Sequence, residues 1–307
     1  MRNIVFQTFG LTKLYKDFRA LDSVNMTIYE GDIYGFVGEN GAGKTTLIRL
    51  ACGLAHQSEG YLALFGVTTK EKGFKEAQAK TMAIVESVAV SKGLTALENL
   101  KLQCKIVGIN KTDDELNALL DQVGLDSKNL TTKKANSFSL GMRQRLGLAI
   151  ALVSEPKFIL LDEPMNGLDP QGFVDIRETI LRLNKQGVSF LISSHILSEL
   201  DKICTRVGFL SHGRLLKELS IDELHEKARK KIALRCKNSG EIHGKLVEKL
   251  HLSDTKVEGD NITIYDQIDI NDVISCLAKE KILIDSITSQ EETIEDYYSE
   301  LMRGGNR

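Results

Sequence analysis

A chain of 307 residues with 42% hydrophobic content and a formal net charge of −2 has room for about two domains of ~100–200 residues each and for a sizeable core. That balance of charge leaves no electrostatic footprint for nucleic acid. Five scattered cysteines without a C-x-x-C pair fit reduced thiols rather than a disulfide framework. The first eight residues are too short in apolar length for a signal peptide, and no run approaches the ~18 apolar residues of a membrane span.

Taken in order, Ile4-Val5-Phe6, Ala20-Leu21 and Val24-Asn25-Met26-Thr27-Ile28 alternate weakly between turn signals, predicting a small antiparallel sheet that residues 60–66 join. Ile33-Tyr34-Gly35-Phe36-Val37 reads as a buried strand. It leads through Gly38-Glu39-Asn40-Gly41-Ala42-Gly43-Lys44-Thr45-Thr46 into a short helix closed by Gly53. Residues 82–85 form a second buried strand, ending at Glu86, and 95–123 turn helical on Leu97, Leu100, Leu116, Leu119 and Leu120. Residues 139–153 make a helix capped by Ser139. Apolar runs at 158–161 and 188–192 add two more buried strands. Helices alternating with such strands predict an α/β chain with a parallel, doubly covered core sheet. Pro156, Pro164 and Pro170, the only prolines, fix chain direction between two of the helices. A hairpin follows at 206–216.

From about Ile221 the character changes. Strand (232–236), helix (241–250), hairpin (255–265), helix (271–278), strand (282–286) and helix (293–301) follow in a β-α-β-β-α-β order. A small ferredoxin-like α+β module is therefore expected over 222–307, after a first domain over 1–221. It carries no motif of its own.

The chemistry is concentrated in the first domain. Gly38, Gly43, Lys44 and Thr45 occupy the fixed positions of G-x-x-x-x-G-K-[ST], and strand, glycine-rich turn and helix form the context that motif requires. Backbone N–H groups of a loop containing Gly38, Asn40, Gly41, Gly43 and Thr46 can converge on phosphate oxygens at a helix N-terminus. Lys44 would reach the β- and γ-phosphates, and the Thr45 hydroxyl would sit on Mg²⁺. Asp162, closing the apolar strand 158–161, would hold the same ion, while Glu163 polarises an attacking water as general base.

Together these stretches resemble the nucleotide-binding subunit of an ATP-binding cassette (ABC) transporter. GENGAGKTT is similar to the family's Walker A, FILLDEP to its Walker B, and Phe138-Ser139-Leu140-Gly141-Met142 to its LSGGQ signature. Asn166-Gly167-Leu168-Asp169 resembles its D-loop and Ser193-Ser194-His195 its switch histidine, while Tyr15 sits where the family places an aromatic ring against adenine. The motifs run in the family's order over roughly residues 5–215. The resemblance implies a P-loop NTPase cassette with a parallel core sheet, an antiparallel β subdomain and a helical subdomain. It also implies ATP and Mg²⁺ as cofactors, and a head-to-tail dimer in which Ser139 and Gly141 of one copy meet the γ-phosphate held by the other. His195 would sense that phosphate. The partners would be integral-membrane permease subunits at the cytoplasmic face of the membrane, docked near 95–123.

Two positions depart from the pattern. Leu140 replaces the first glycine of the signature. Glu86 stands where glutamine normally touches Mg²⁺ and the membrane partner. An acid there, a Ser-Leu-Gly-Met signature and a small C-terminal module resemble the bacitracin-resistance and lantibiotic self-protection branch, which expels antimicrobial peptides. Other ABC exporters, or a soluble ABC ATPase of repair or translation, are the rival readings. The latter would need a coiled-coil insertion or a second cassette, and neither is in the sequence.

Overall fold

A computed structural model describes residues 2–86, 88–128, 130, 132–227, 230–291 and 293–302. Two compact units divide it, Met1–Asp222 and Glu223–Arg307. In the first, β1 (Ile4–Tyr15), β2 (Phe18–Tyr29) and β3 (Ile33–Val37) precede α1 (Lys44–Ala51), β4 (Glu59–Leu64), β5 (Val67–Thr68), α2 (Phe74–Gln78) and β6 (Thr81–Ile84). Then come α3 (Ala96–Val107), α4 (Asp113–Gln122), α5 (Leu140–Leu152), β7 (Phe158–Asp162), α6 (Pro170–Lys185), β8 (Ser189–Ser194), α7 (Leu197–Leu200), β9 (Arg206–Ser211) and β10 (Arg214–Ser220), after which α8 (Ile221–Lys227) begins in the first unit and ends in the second.

A six-stranded sheet, ordered β10-β9-β3-β8-β7-β6, carries the site. Its strands pair in parallel except for the antiparallel edge β10. Every residue of β3, β7 and β8 is buried, as expected for strands covered on both faces. Gly35 is required within β3, because a Cβ there would come 2.8 Å from the Cys204 sulfur. A second, antiparallel sheet is ordered β2-β1-β4-β5. Phe6 of β1 stacks on Phe158 of β7 with ring centroids 5.9 Å apart, so one apolar core joins the two sheets.

The helical stretch expected over 95–123 is two helices. Thr95 and Glu98 form a capping box at the start of α3, and Thr112 and Glu115 a second one at the start of α4. Between them Gly108 ends α3 in the left-handed conformation at φ 72°. Ser139 caps α5, accepting from the Met142 N–H at 3.2 Å. Asp169 caps α6 through the Gly172 N–H at 3.0 Å, with Pro170 in the first helical position.

The second unit contains β11 (Lys230–Arg235), α9 (Ser239–Leu250), β12 (Thr255–Glu258), β13 (Asn261–Ile264), α10 (Ile270–Lys279), β14 (Ser286–Glu291) and α11 (Ile294–Met302). Its sheet is ordered β12-β13-β11-β14 with antiparallel pairing throughout. The last strand corrects the expectation of 282–286. Ile282 and Ile284 pack on the module core from an irregular segment, and the strand itself is the polar run Ser286-Ile287-Thr288-Ser289-Gln290-Glu291 on the sheet edge. An edge strand needs few apolar residues, so hydrophobic periodicity points to the segment before it instead.

Candidate active site

Gly38 and Gly43 make the approach to α1 possible. A Cβ on Gly38 would lie 2.5 Å from the Leu210 carbonyl oxygen, and one on Gly43 2.4 Å from that of Ala20. Gly43 also takes φ 114° as the residue before α1, a backbone only glycine adopts freely. Lys44, at 6% exposure, turns back along the loop and donates to the Gly38 and Glu39 carbonyls at 2.6 and 3.2 Å. The next residue reaches across the sheet: the Thr45 hydroxyl donates to Asp162 Oδ2 at 2.8 Å.

Asp162 ends β7 as a buried carboxylate. Its other oxygen accepts from the Ser193 hydroxyl at 2.6 Å. Ser193 in turn accepts from the Glu163 N–H at 3.0 Å, while its carbonyl takes the same N–H at 3.2 Å. These bonds hold Glu163 at φ 48°, a left-handed turn that costs an L-residue roughly 1–2 kcal/mol. The turn swings its carboxylate away from the strand and between two cations or donors. Oε1 lies 3.4 Å from the Lys44 ammonium, without a hydrogen bond among the described residues, and Oε2 is 2.8 Å from His195 Nδ1. His195 follows β8 directly, so neighbouring strand ends deliver the acid and the imidazole together.

The result is a cleft of about 240 Å³ lined by Asn40, Gly41, Gly43, Lys44, Thr45, Thr46 and Glu163, with Phe18 and Ala20 on the β2 side. Tyr15 is absent from that lining; the Lys13 ammonium stands 4.8 Å above its ring. Ser139 is exposed and also outside the lining, and Gly141 follows it in the first turn of α5. Glu86, expected to share a metal with Thr45 and Asp162, is outside that lining. It adopts φ 60°, and its carboxylate pairs with Arg49 of α1, an opposite charge close enough to hold it there.

The ABC transporter family model matches residues 21–166. Over 305 residues the chain is 37% identical to the bacitracin transport ATP-binding protein BcrA of Enterococcus faecalis, spanning 98% of this chain and 97% of that protein. The lantibiotic transport ATP-binding protein SrtF of Streptococcus pyogenes is 36% identical over 213 residues, 69% of this chain and 90% of that protein. The chain belongs to the ABC transporter family. In fold it matches the dimeric structure of a post-hydrolysis ATP-binding cassette bound to ADP and Pi, with a TM-score of 0.61 and 24% identity over 70% of this chain and 98% of that one.

This ABC protein is an ATP-binding, ATP-hydrolysing subunit. One residue of the candidate site carries no signal in the sequence. Ser193 reads there only as part of the strand end before His195, yet it bridges Asp162 to the Glu163 backbone. Its alternation on β8 gives no hint of that, because every residue of the strand is buried. For Ser193→Ala the expected outcome is a roughly 10–100-fold lower kcat, as for removal of an outer-shell partner of a reacting group, with the fold intact by circular dichroism. Unchanged kcat would show that Asp162 and Glu163 hold their places without the serine.

Proposed function

We propose that this ABC ATPase is the motor of an antimicrobial-peptide exporter: two copies close around two Mg-ATP molecules, and hydrolysis moves a separate integral-membrane permease at the cytoplasmic face. The observation that carries the catalytic half is the Glu163 carboxylate poised between Lys44 and His195. Among the described residues its buried Oε1 makes no hydrogen bond, which leaves a lone pair on that oxygen to take the proton of an attacking water. Lys44 and the loop around Gly38, Asn40, Gly41, Gly43 and Thr46 would hold the phosphates. His195 would bind the γ-phosphate from the far side of Glu163 and respond to its loss.

Thr45 and Asp162 fit Mg²⁺ as its protein ligands: a hydroxyl and a carboxylate already 2.8 Å apart, with Thr45 in the first turn of α1 and lining the same cleft as Lys44. Among the described residues no trio of His, Cys, Asp or Glu gathers as a metal site. Mg²⁺ needs none, since it binds through one or two protein groups together with phosphates and water. Bound there, the ion would neutralise charge on the β- and γ-phosphates.

Ser139 supports the dimer. Its hydroxyl, the first-turn N–H groups of α5 and that helix's positive end form an anion site on an exposed surface, while the chain's own phosphate loop lies elsewhere. A second copy packed head to tail would bring the two together; Gly141 itself is buried against Leu168 and Gly172 of its own chain.

For the membrane partner, no helix among the described residues is long and apolar enough to cross a bilayer. A groove of about 430 Å³ opens beside Glu86, lined by Cys52, Leu54, Val85, Val88, Ala89 and Ile150 among others. Leu54 and, on α3, Ile106 stand 71% and 69% exposed near it in sequence, the kind of apolar surface that marks a protein contact. The permease would dock on this groove and on α3–α4, and Glu86 would relay its state. The peptide cargo is supported by the transport names of the two relatives. Replacement Glu86→Ala is expected to keep basal ATPase activity while cells expressing the transporter lose peptide resistance. Unchanged resistance would refute the relay.

A further inference from the structure

We infer that a cavity at the seam between the two sheets of the first unit, away from the nucleotide cleft, is a second ligand site, built for a small organic anion with an apolar body. The cavity holds about 590 Å³, within the range of small-molecule sites. Ile4 and Val5 of β1, Phe65 and Gly66 of the β4–β5 turn, and Lys80 and Lys157, which precede β6 and β7, all line it. Backbone bonds tie these parts together. Phe65 N–H donates to the Val5 carbonyl at 2.9 Å, and Lys157 N–H donates to the Lys80 carbonyl at 2.9 Å. Val5 and Lys157 immediately precede the stacked Phe6 and Phe158, and Phe65 packs against the core that Val5, Phe6 and Phe158 share. The apolar part of the lining is therefore the edge of a rigid core, formed before any ligand arrives.

Charge decides what such a cavity takes. Arg2 also lines it, but its guanidinium is committed to the buried Asp32. Glu30 is the one carboxylate in the lining, and it accepts from the Asn3 amide at 2.8 Å rather than from a lysine. Glu155, two positions before Lys157, is held by Lys111 at 2.6 Å. Lys80 and Lys157 are exposed and form no ion pair among the described residues; the Lys80 ammonium stands 5.8 Å from the Phe65 ring. Two ammonium groups on neighbouring strand starts can share one carboxylate, sulfonate or phosphate ester, a charge-assisted contact, while the ligand's body covers Ile4, Val5 and Phe65. A bare inorganic anion would leave that apolar surface wet, and an uncharged body would leave the lysines unused. Lys157 stands before β7 and Asp162 at its far end, roughly 16 Å apart at ~3.3 Å per residue of strand. The anion and the nucleotide thus occupy opposite ends of the same strands and do not compete.

Anilinonaphthalene sulfonate, an anion on an aromatic body, serves as the probe, and its uncharged analogue phenylnaphthylamine as the control. With ATP in excess to fill the cleft, the probe is expected to bind the full-length chain and brighten. In Lys80→Gln/Lys157→Gln its Kd should rise roughly 5–50-fold, with circular dichroism and ATP affinity unchanged. Lys80→Arg/Lys157→Arg keeps both charges and should bind the probe as the unmodified chain does. The same is expected of Lys133→Gln/Lys134→Gln, which removes equal charge from an exposed pair elsewhere. The uncharged analogue should bind more weakly than the sulfonate, and equally in all four chains. Unaltered probe affinity in Lys80→Gln/Lys157→Gln would overturn the site. So would an equal loss in the arginine pair or in Lys133→Gln/Lys134→Gln, or displacement of the probe by ATP. An uncharged analogue that binds as tightly as the sulfonate would overturn the choice of an anion.

Discussion

The Glu163→Gln protein is expected to bind ATP, to dimerise on it and to turn it over roughly 10²–10⁴-fold more slowly than the unmodified chain, the usual worth of a positioned general base. Glutamine keeps the shape of the side chain and can keep the 2.8 Å contact with His195, but it cannot accept a proton from water. It also removes the negative charge 3.4 Å from the Lys44 ammonium. Loss of that charge leaves the lysine more available to phosphate, so affinity for ATP should hold or rise while kcat falls. A change in kcat without a loss of binding is the mark of a group used only in the transition state. Single-turnover hydrolysis and gel filtration with and without ATP measure both halves, and ordinary turnover would remove Glu163 from the role of base.

Lys44→Ala should fail in the opposite way, at binding. The ammonium is almost wholly buried and donates to two loop carbonyls. A charge-assisted hydrogen bond is worth about 1.5–3 kcal/mol, so losing one to phosphate should weaken ATP binding roughly 10–100-fold at ~1.4 kcal/mol per decade. Turnover should fall further still, because Glu163 then faces the cleft without its cation. Equilibrium dialysis separates the two variants: Glu163→Gln retains ATP and Lys44→Ala releases it. Tight ATP binding by Lys44→Ala would mean that the lysine serves the loop rather than the ligand.

Much of this arrangement is legible in the sequence, and the reasons differ by residue. Fully buried parallel strands are continuous apolar runs, so β3, β7 and β8 and the residues at their ends stand out at once. Caps are equally local: Ser139 announces α5. The T-x-x-E pattern of Thr112 and Glu115 marks the start of a second helix within 95–123, which the leucine spacing alone does not show. What sequence spacing does not carry is which side chain faces which across the fold. The Ser193 bridge joins two strand ends 31 positions apart, and nothing in either strand records it. The pairing of Glu86 depends on Arg49, 37 positions earlier, rather than on the metal site its place in the chain implies. Each of these is a tertiary contact laid over an unremarkable local pattern.

The central claim is that the phosphate loop is half of a site and that Ser139 of a second copy completes it. Mixing Lys44→Ala protein with Ser139→Ala protein tests it most directly. Each variant alone has no complete site, but a mixed dimer pairs the intact loop of one chain with the intact Ser139 of the other. ATPase activity should reappear on mixing and peak near equal amounts, where mixed dimers are most abundant. Activity that stays absent at every ratio would contradict a site shared between two copies.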